Sequence, residues 1–280
     1  MLRVGCVKYL NACPLIHGWE GNVDFDHPSA LCNKLATGTL DIALVSSFEF
    51  LRNPIYRIVD DVSISSDGPV YSVVVAHHGE IGQIEEIELD PASETSANLL
   101  RCLIAELGLN SRVVRCDTSV WSTAAELNTG RRARLLIGDQ AIRLRQQYAN
   151  EFSFWDLGEE WQKSVGLPFV YALWLIRPEV ADPKQVANGL RALRNENLDN
   201  LDDLIPGLVA GVDLSRRSSK ANADDPGPQK GLTSEFLSHY YREHLRFGFG
   251  KKEKEGLRIF ANLCIKHSLL PKCDLAFSVV

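Results

Sequence analysis

The sequence predicts an α/β protein built from βαβ units, and three observations carry that prediction. Short apolar runs at 3–7, 42–45, 72–76 and 135–137 have the length and residue character of buried strands. Between and after them, stretches at 29–37, 94–107, 122–130 and 140–148 repeat their apolar residues at helical spacing. At 280 residues the chain exceeds the usual size of one hydrophobic core, so it forms two lobes or one large domain. Short apolar strands alternating with amphipathic helices imply parallel strands joined by crossover helices.

The elements follow in order. The first strand, Arg3 to Val7, runs into VKYLNACPL, so Tyr9 and Asn11 occupy the turn at its carboxyl end, where open α/β sheets bind ligands. In PSALCNKLATGTLDIALVSSFEFLRN, Ser29 can cap a helix with Leu31 and Leu35 on one face, and Gly38 can end it. Ile42 to Val45 is then the next strand, with Ser46 and Ser47 at its carboxyl end. ISSDGPVYS places Ser66, Gly68 and Ser72 around a turn, and ETSANLLRCLIAELGLN starts a helix capped at Thr95 or Ser96 and stopped at Gly108. LLIGDQA ends a strand in Gly138 and Asp139. Beyond Trp174, residues 179–209 and 233–270 read as mostly helical, and the polar stretch around 210–231 reads as a mobile surface insert.

Composition bounds the chemistry. A formal charge of -6 argues against a general nucleic-acid binder, which needs a basic face. The seven cysteines are widely spaced with no CxxC pair and read as reduced structural thiols. The apolar run after Met1 is interrupted by Arg3 and Lys8, too soon for a secretory signal core, and no stretch has membrane-span length; both point to a cytoplasmic protein. No HExxH, GxSxG or glycine-rich nucleotide signature occurs, His77 and His78 read as exposed strand-end residues, and no cofactor or metal is indicated.

Small hydroxyl, amide and glycine residues therefore gather at strand ends: Asn11, Ser46 and Ser47, Ser66 to Ser72, and Ser93 to Ser96. Each stretch alone is a helix cap or turn, whereas several at the strand ends of one α/β array form a ligand cleft. Asp139 is a helix cap, a hydroxyl partner or a base, and the adjacent acids Glu159 and Glu160 in LGEEW read as a solvated turn.

Taken in order, VKYLNACPL, GTLDIALVSS with EFLRN, SISSDGPVYS, SETS, LLIGDQA, DLGEEW and GLPFVYALW resemble the successive motifs of the chorismate dehydratase family of the futalosine route to menaquinone, with a weaker echo in YYREHLRFGFGKKEKEGLRIF. The resemblance implies a two-lobed fold similar to type II periplasmic binding proteins, with the ligand cleft between lobes made of residues 1–72 plus 175–280 and of residues 73–174. It implies one small-molecule substrate, chorismate, losing water to give 3-[(1-carboxyvinyl)oxy]benzoate, with no nucleic-acid or membrane partner. The family's YLN asparagine falls on Asn11 and its GPVxS serine on Ser72. These two with Asp139 form the expected catalytic set, and Tyr9, Ser46, Ser47, Ser66, Gly68, Thr95, Ser96 and Gly138 the expected substrate contacts. Two other readings remain at this point: a non-catalytic anion-binding protein of the same fold, and the related 1,4-dihydroxy-6-naphthoate synthase, whose SPCPNDT-like opening differs from YLNACPL here. A metal-dependent lyase lacks ligand spacing.

Overall fold

A computed structural model describes residues 2–89, 94–115, 131–210, 232–272 and 275–280. The expected helix at 122–130, Ser93 and residues 211–231 of the expected insert lie outside the described residues. The chain divides into two units, Met1–Ser65 with Val170–Lys251 and Leu275–Val280, and Ser66–Phe169 with Lys252–Asp274.

The first unit is built on a five-stranded sheet. Its strands are β1 (Val4–Val7), β2 (Val23–Asp26), β3 (Ile42–Ser46), β4 (Arg57–Ser66) and β10 (Phe169–Ile176), in the order β2-β1-β3-β10-β4. β1 pairs in parallel with both β2 and β3, as the alternating pattern requires. β10 is antiparallel to β3, with Leu173 opposite Val45. Every residue of β1 and β3 is buried, which is why both read as uninterrupted apolar runs. The helix expected at 29–37 is α2 (Pro28–Ala36), after α1 (Cys13–Ile16). Ser29 does not cap it: His27 stands at the cap, and Pro28 opens the first turn, where a missing N–H costs no hydrogen bond.

The second unit carries its own five-stranded sheet, ordered β7-β6-β8-β5-β9. These strands are β5 (Val73–His77), β6 (Glu86–Leu89), β7 (Arg112–Arg115), β8 (Arg132–Ile137) and β9 (Ser153–Asp156). β6 is parallel to β7 and β8, whereas β5 is antiparallel to β8 and β9. Both sheets are therefore mixed rather than wholly parallel: β10 runs against β3, and β5 against β8 and β9, an orientation that side-chain periodicity does not encode. His77 is buried at the end of β5, not exposed as expected; this strand is buried at every residue.

The helix Lys251–Lys266 crosses the boundary of the sequence reading, which grouped it with the amino-terminal residues; all but its first residue belong to the second unit. Phe260 meets Trp161 at 6.1 Å and 89°, and Phe169 at 4.9 Å and 72°, the edge-to-face geometry that aromatic quadrupoles favour. Gly256 permits the approach: a Cβ there would lie 2.1 Å from the carbonyl oxygen of Pro168. Cys264 and Cys102 lie with Sγ atoms 3.8 Å apart as a buried thiol pair. Lys266 donates to Glu106 at 2.7 Å, which, together with His267, holds the Glu106 carboxyl below the usual carboxylate range.

Candidate functional site

In the first unit, parallel pairing of β1 with β3 puts their carboxyl ends at one edge of the sheet. Tyr9 leads from β1 into a short 3-10 turn, Leu10–Ala12, which holds Asn11. The Oδ1 atom of Asn11 is buried with no hydrogen-bond partner among the described residues, an uncommon state for a buried acceptor. At the same edge, Ser46 ends β3 and stands at the start of α3 (Ser47–Arg52) without capping it through its side chain. The Ser47 hydroxyl donates to the carbonyl of Val170 at 2.7 Å, so its hydrogen is committed to holding α3 against β10.

The YLN turn is held from behind by residues that sequence reasoning missed. Tyr241 donates its hydroxyl to the carbonyl of Leu10 at 2.8 Å, and Asn197 donates to the carbonyls of Pro14 and His17 at 3.0 and 2.9 Å. Tyr241 belongs to a π-helical turn, Tyr240–His244, in which Leu245 N–H bonds back to the carbonyl of Tyr240 at 3.2 Å. The motif YYREHLRF carried this tyrosine, but its partner lies 231 positions away in the chain.

In the second unit, the register Val73 opposite Ile137 brings the start of β5 to the end of β8. Ser72, fully buried, accepts through its carbonyl from the N–H of Gly138 at 2.8 Å, so the GPVYS and IGD motifs meet directly. Gly138, with φ of +56°, opens α5 (Gly138–Gln147), and Asp139 lies half-buried in that helix's first turn. Asp139 is not the cap, a position held by Ile137. Parallel pairing of β6 with β8 sends the carboxyl end of β6 to the same edge, and the chain then resumes in α4 (Glu94–Glu106). Thr95 and Ser96, expected as caps, lie buried inside its first turn. Ser66 ends β4, and Gly68 follows with φ of +120°, a conformation that glycine alone adopts readily.

Asp156 is the second feature that sequence reasoning passed over. In DLGEEW the eye goes to the paired glutamates, but Glu159 pairs with Lys163 and Glu160 accepts from the Trp155 indole. Asp156 is buried at the end of β9 and caps α6 (Leu157–Val165) by accepting from Gly158 and Glu159 N–H. It also accepts from the N–H groups of Val70 and Tyr71 at 3.0 and 2.8 Å, and from Arg145 at 3.2 Å. An Asp followed three positions later by Glu signals a helix cap, but gives no sign of bonds to residues 85 positions away.

Among the described residues no group of three or more His, Cys, Asp or Glu side chains could hold a metal ion. No described helix is long and apolar enough to cross a membrane.

Comparison with known proteins gives these edges a context. The chain is 28% identical to a chorismate dehydratase of Thermus thermophilus, over 92% of this chain and 93% of that protein. A chorismate dehydratase of Campylobacter jejuni is 26% identical over 64% of this chain and 65% of its own length. Among solved structures, a protein from Archaeoglobus fulgidus superposes with a TM-score of 0.67 at 18% identity, covering 96% of this chain and 98% of that one. The periplasmic aliphatic sulphonate binding protein of Escherichia coli gives 0.63 at 13% identity, covering 97% and 94%. At these identities the structural neighbours establish the fold, which is that of periplasmic binding proteins, and nothing about ligands. The family described as menaquinone biosynthesis matches residues 2–266, and the chain belongs to that family.

Proposed function

We propose that the protein is a chorismate dehydratase, a carbon–oxygen lyase that removes water from chorismate to give 3-[(1-carboxyvinyl)oxy]benzoate. The observation that carries this reading is the relationship to the Thermus thermophilus enzyme along almost the whole of both chains. The neutral hydrogen-bonding groups at the sheet edges fit the chemistry.

Chorismate has two carboxylates, a ring hydroxyl and an ether-bearing ring carbon whose hydrogen is conjugated through a double bond with the ring carboxylate. Loss of that proton moves charge onto the carboxylate; the neighbouring C–O bond then breaks, a ring double bond forms, and hydroxide leaves with a proton as water. Aromatisation drives the reaction, so the protein's task is to stabilise the charge that develops on the carboxylate. Preorganised neutral donors do this well, because they bind the charged state without having to reorganise. In this reading Ser72 donates to a substrate carboxylate, as do the first-turn groups of α4, Thr95 and Ser96, supported by the positive end of the helix dipole. Asn11 holds the leaving hydroxyl, and its buried Oδ1, which has no partner among the described residues, is the acceptor that hydroxyl would satisfy. The proton goes to the substrate's own enolpyruvyl carboxylate, with Asp139 as the alternative base.

The test is to incubate purified protein with chorismate and look by mass spectrometry for a product lighter by one water. Chorismate recovered unchanged from folded protein rejects the reading. Release of pyruvate instead would assign the chain a different lyase chemistry.

A further inference from the structure

The backbone beside Ser72 is strained, and the strain is held by one buried carboxylate. Ser72 N–H bonds to the carbonyl of Val70 at 2.8 Å, closing a three-residue turn around Tyr71. Tyr71 has φ of +66°, which a bulky L residue rarely adopts, and three-residue turns with a positive central φ are the strained kind. Such a conformation persists only where its surroundings fix it. Here Asp156 Oδ1 accepts from Val70 N–H at 3.0 Å, and Oδ2 accepts from Tyr71 N–H at 2.8 Å. Arg145 reaches Oδ2 at 3.2 Å, and its guanidinium lies over the Tyr71 ring at 4.3 Å from the centroid. On the far side, Gly138 N–H holds the carbonyl of Ser72. The serine is thus pinned before and after itself.

We infer that Asp156, together with Arg145, is the positioning device for Ser72: it holds Tyr71 in its left-handed conformation and so fixes where the Ser72 hydroxyl sits. This rests on the dehydratase reading for its kinetic consequence. A helix cap alone would account for the bonds to Gly158 and Glu159, at 3.0 and 3.2 Å. It does not account for the two N–H groups of the GPVYS turn or for the arginine. A carboxylate with five donors around it among the described residues, on a strand end and against the strained turn of this motif, is built to fix that turn.

The two oxygens allow the roles to be separated. Both cap bonds and the Val70 bond go to Oδ1, whereas Tyr71 and Arg145 share Oδ2. Asp156→Asn keeps a carbonyl oxygen for the cap and sets an NH2 group against two donors. With chorismate as substrate, the variant is expected to lose at least about tenfold in kcat with KM within about threefold of the parent, since displacement of a reacting group acts on the chemical step. In a Ser72→Ala background the same change is expected to alter kcat by less than about twofold, because residues acting through one another are not additive. Hydrogen exchange supplies a readout without substrate: the Tyr71 amide should exchange at least about tenfold faster in Asp156→Asn while the β5 amides do not change.

Equal kcat losses from Asp156→Asn with and without the Ser72 hydroxyl, or an unchanged Tyr71 amide, would overturn the inference. If Asp156→Asn does not fold, Arg145→Met removes the guanidinium from Oδ2 and leaves the cap intact; it should speed Tyr71 exchange, and parent-like exchange would overturn the inference equally. A parent protein that leaves chorismate untouched rejects the dehydratase reading, while the exchange data still decide whether Asp156 holds the turn.

Discussion

The hydroxyl of Tyr241 donates to the carbonyl of Leu10, the residue immediately before Asn11, at 2.8 Å. Cys13 N–H donates to the same carbonyl and Ala12 N–H to that of Tyr9 at 3.0 Å, so local bonds and a distant one together fix the turn that carries Asn11. Tyr241→Phe keeps the ring against Phe247 and leaves the carbonyl its bond from Cys13 N–H. Its stability should fall by only about 0.5–1.5 kcal/mol, the net worth of one hydrogen bond. Turnover should fall about three- to tenfold through displacement of Asn11. Denaturant melts and steady-state kinetics on one preparation check both.

Asn11→Ala and Ser72→Ala separate a role in binding and chemistry from a role in capping. Asn11 is not the cap of either short helix beside it, and its Oδ1 has no partner to lose among the described residues. Each variant should melt near the parent yet lose at least about tenfold in turnover, a floor below the loss usual for a transition-state hydrogen bond because water can replace the missing group. A large fall in melting temperature would assign these side chains to the fold instead.

Asp139→Asn distinguishes the two bases. The residue sits one position after Gly138, whose N–H binds the Ser72 carbonyl, so it shares the serine's edge of the sheet. Turnover should persist at a reduced level if the substrate's carboxylate takes the proton. Near-complete loss, on the order of a thousandfold or more, would make Asp139 the base.

Gly256→Ala tests why the helix Lys251–Lys266 packs in the second unit. The added methyl would meet the Pro168 backbone, which cannot rotate aside as a side chain can. Overpacking of this kind costs about 1–3 kcal/mol, and more where backbone must move. Thermal unfolding should shift down accordingly, and a parent-like melting curve would show that the helix is free to retreat.

The strands that were legible in the sequence are those buried on both faces. Val4–Val7, Ile42–Ser46 and Val73–His77 are buried at every residue, and their apolar runs reveal them. Arg112–Arg115 is exposed at both ends and half-buried between, so RVVR carried no such signal. Phe169–Ile176 was not read as a strand, and the direction of β5 was hidden because a strand buried at every residue shows the same apolar run whichever way it runs. Ser46, Ser66 and Gly138 fell at or just after strand ends as expected, since turn chemistry is local, whereas Thr95 and Ser96 lie inside a helix rather than capping it. What supports them was not legible: Tyr241 under Leu10 and Asp156 under Tyr71 act across 231 and 85 positions of chain, and one sequence holds no trace of such pairings.

Proton NMR of chorismate during turnover tests the central claim most directly. Dehydration predicts that the signals of the two saturated ring carbons vanish while a meta-substituted aromatic ring appears, with the enolpyruvyl methylene retained and no pyruvate formed. Persistence of the saturated-ring signals with folded protein, or loss of the methylene as pyruvate grows in, would contradict it.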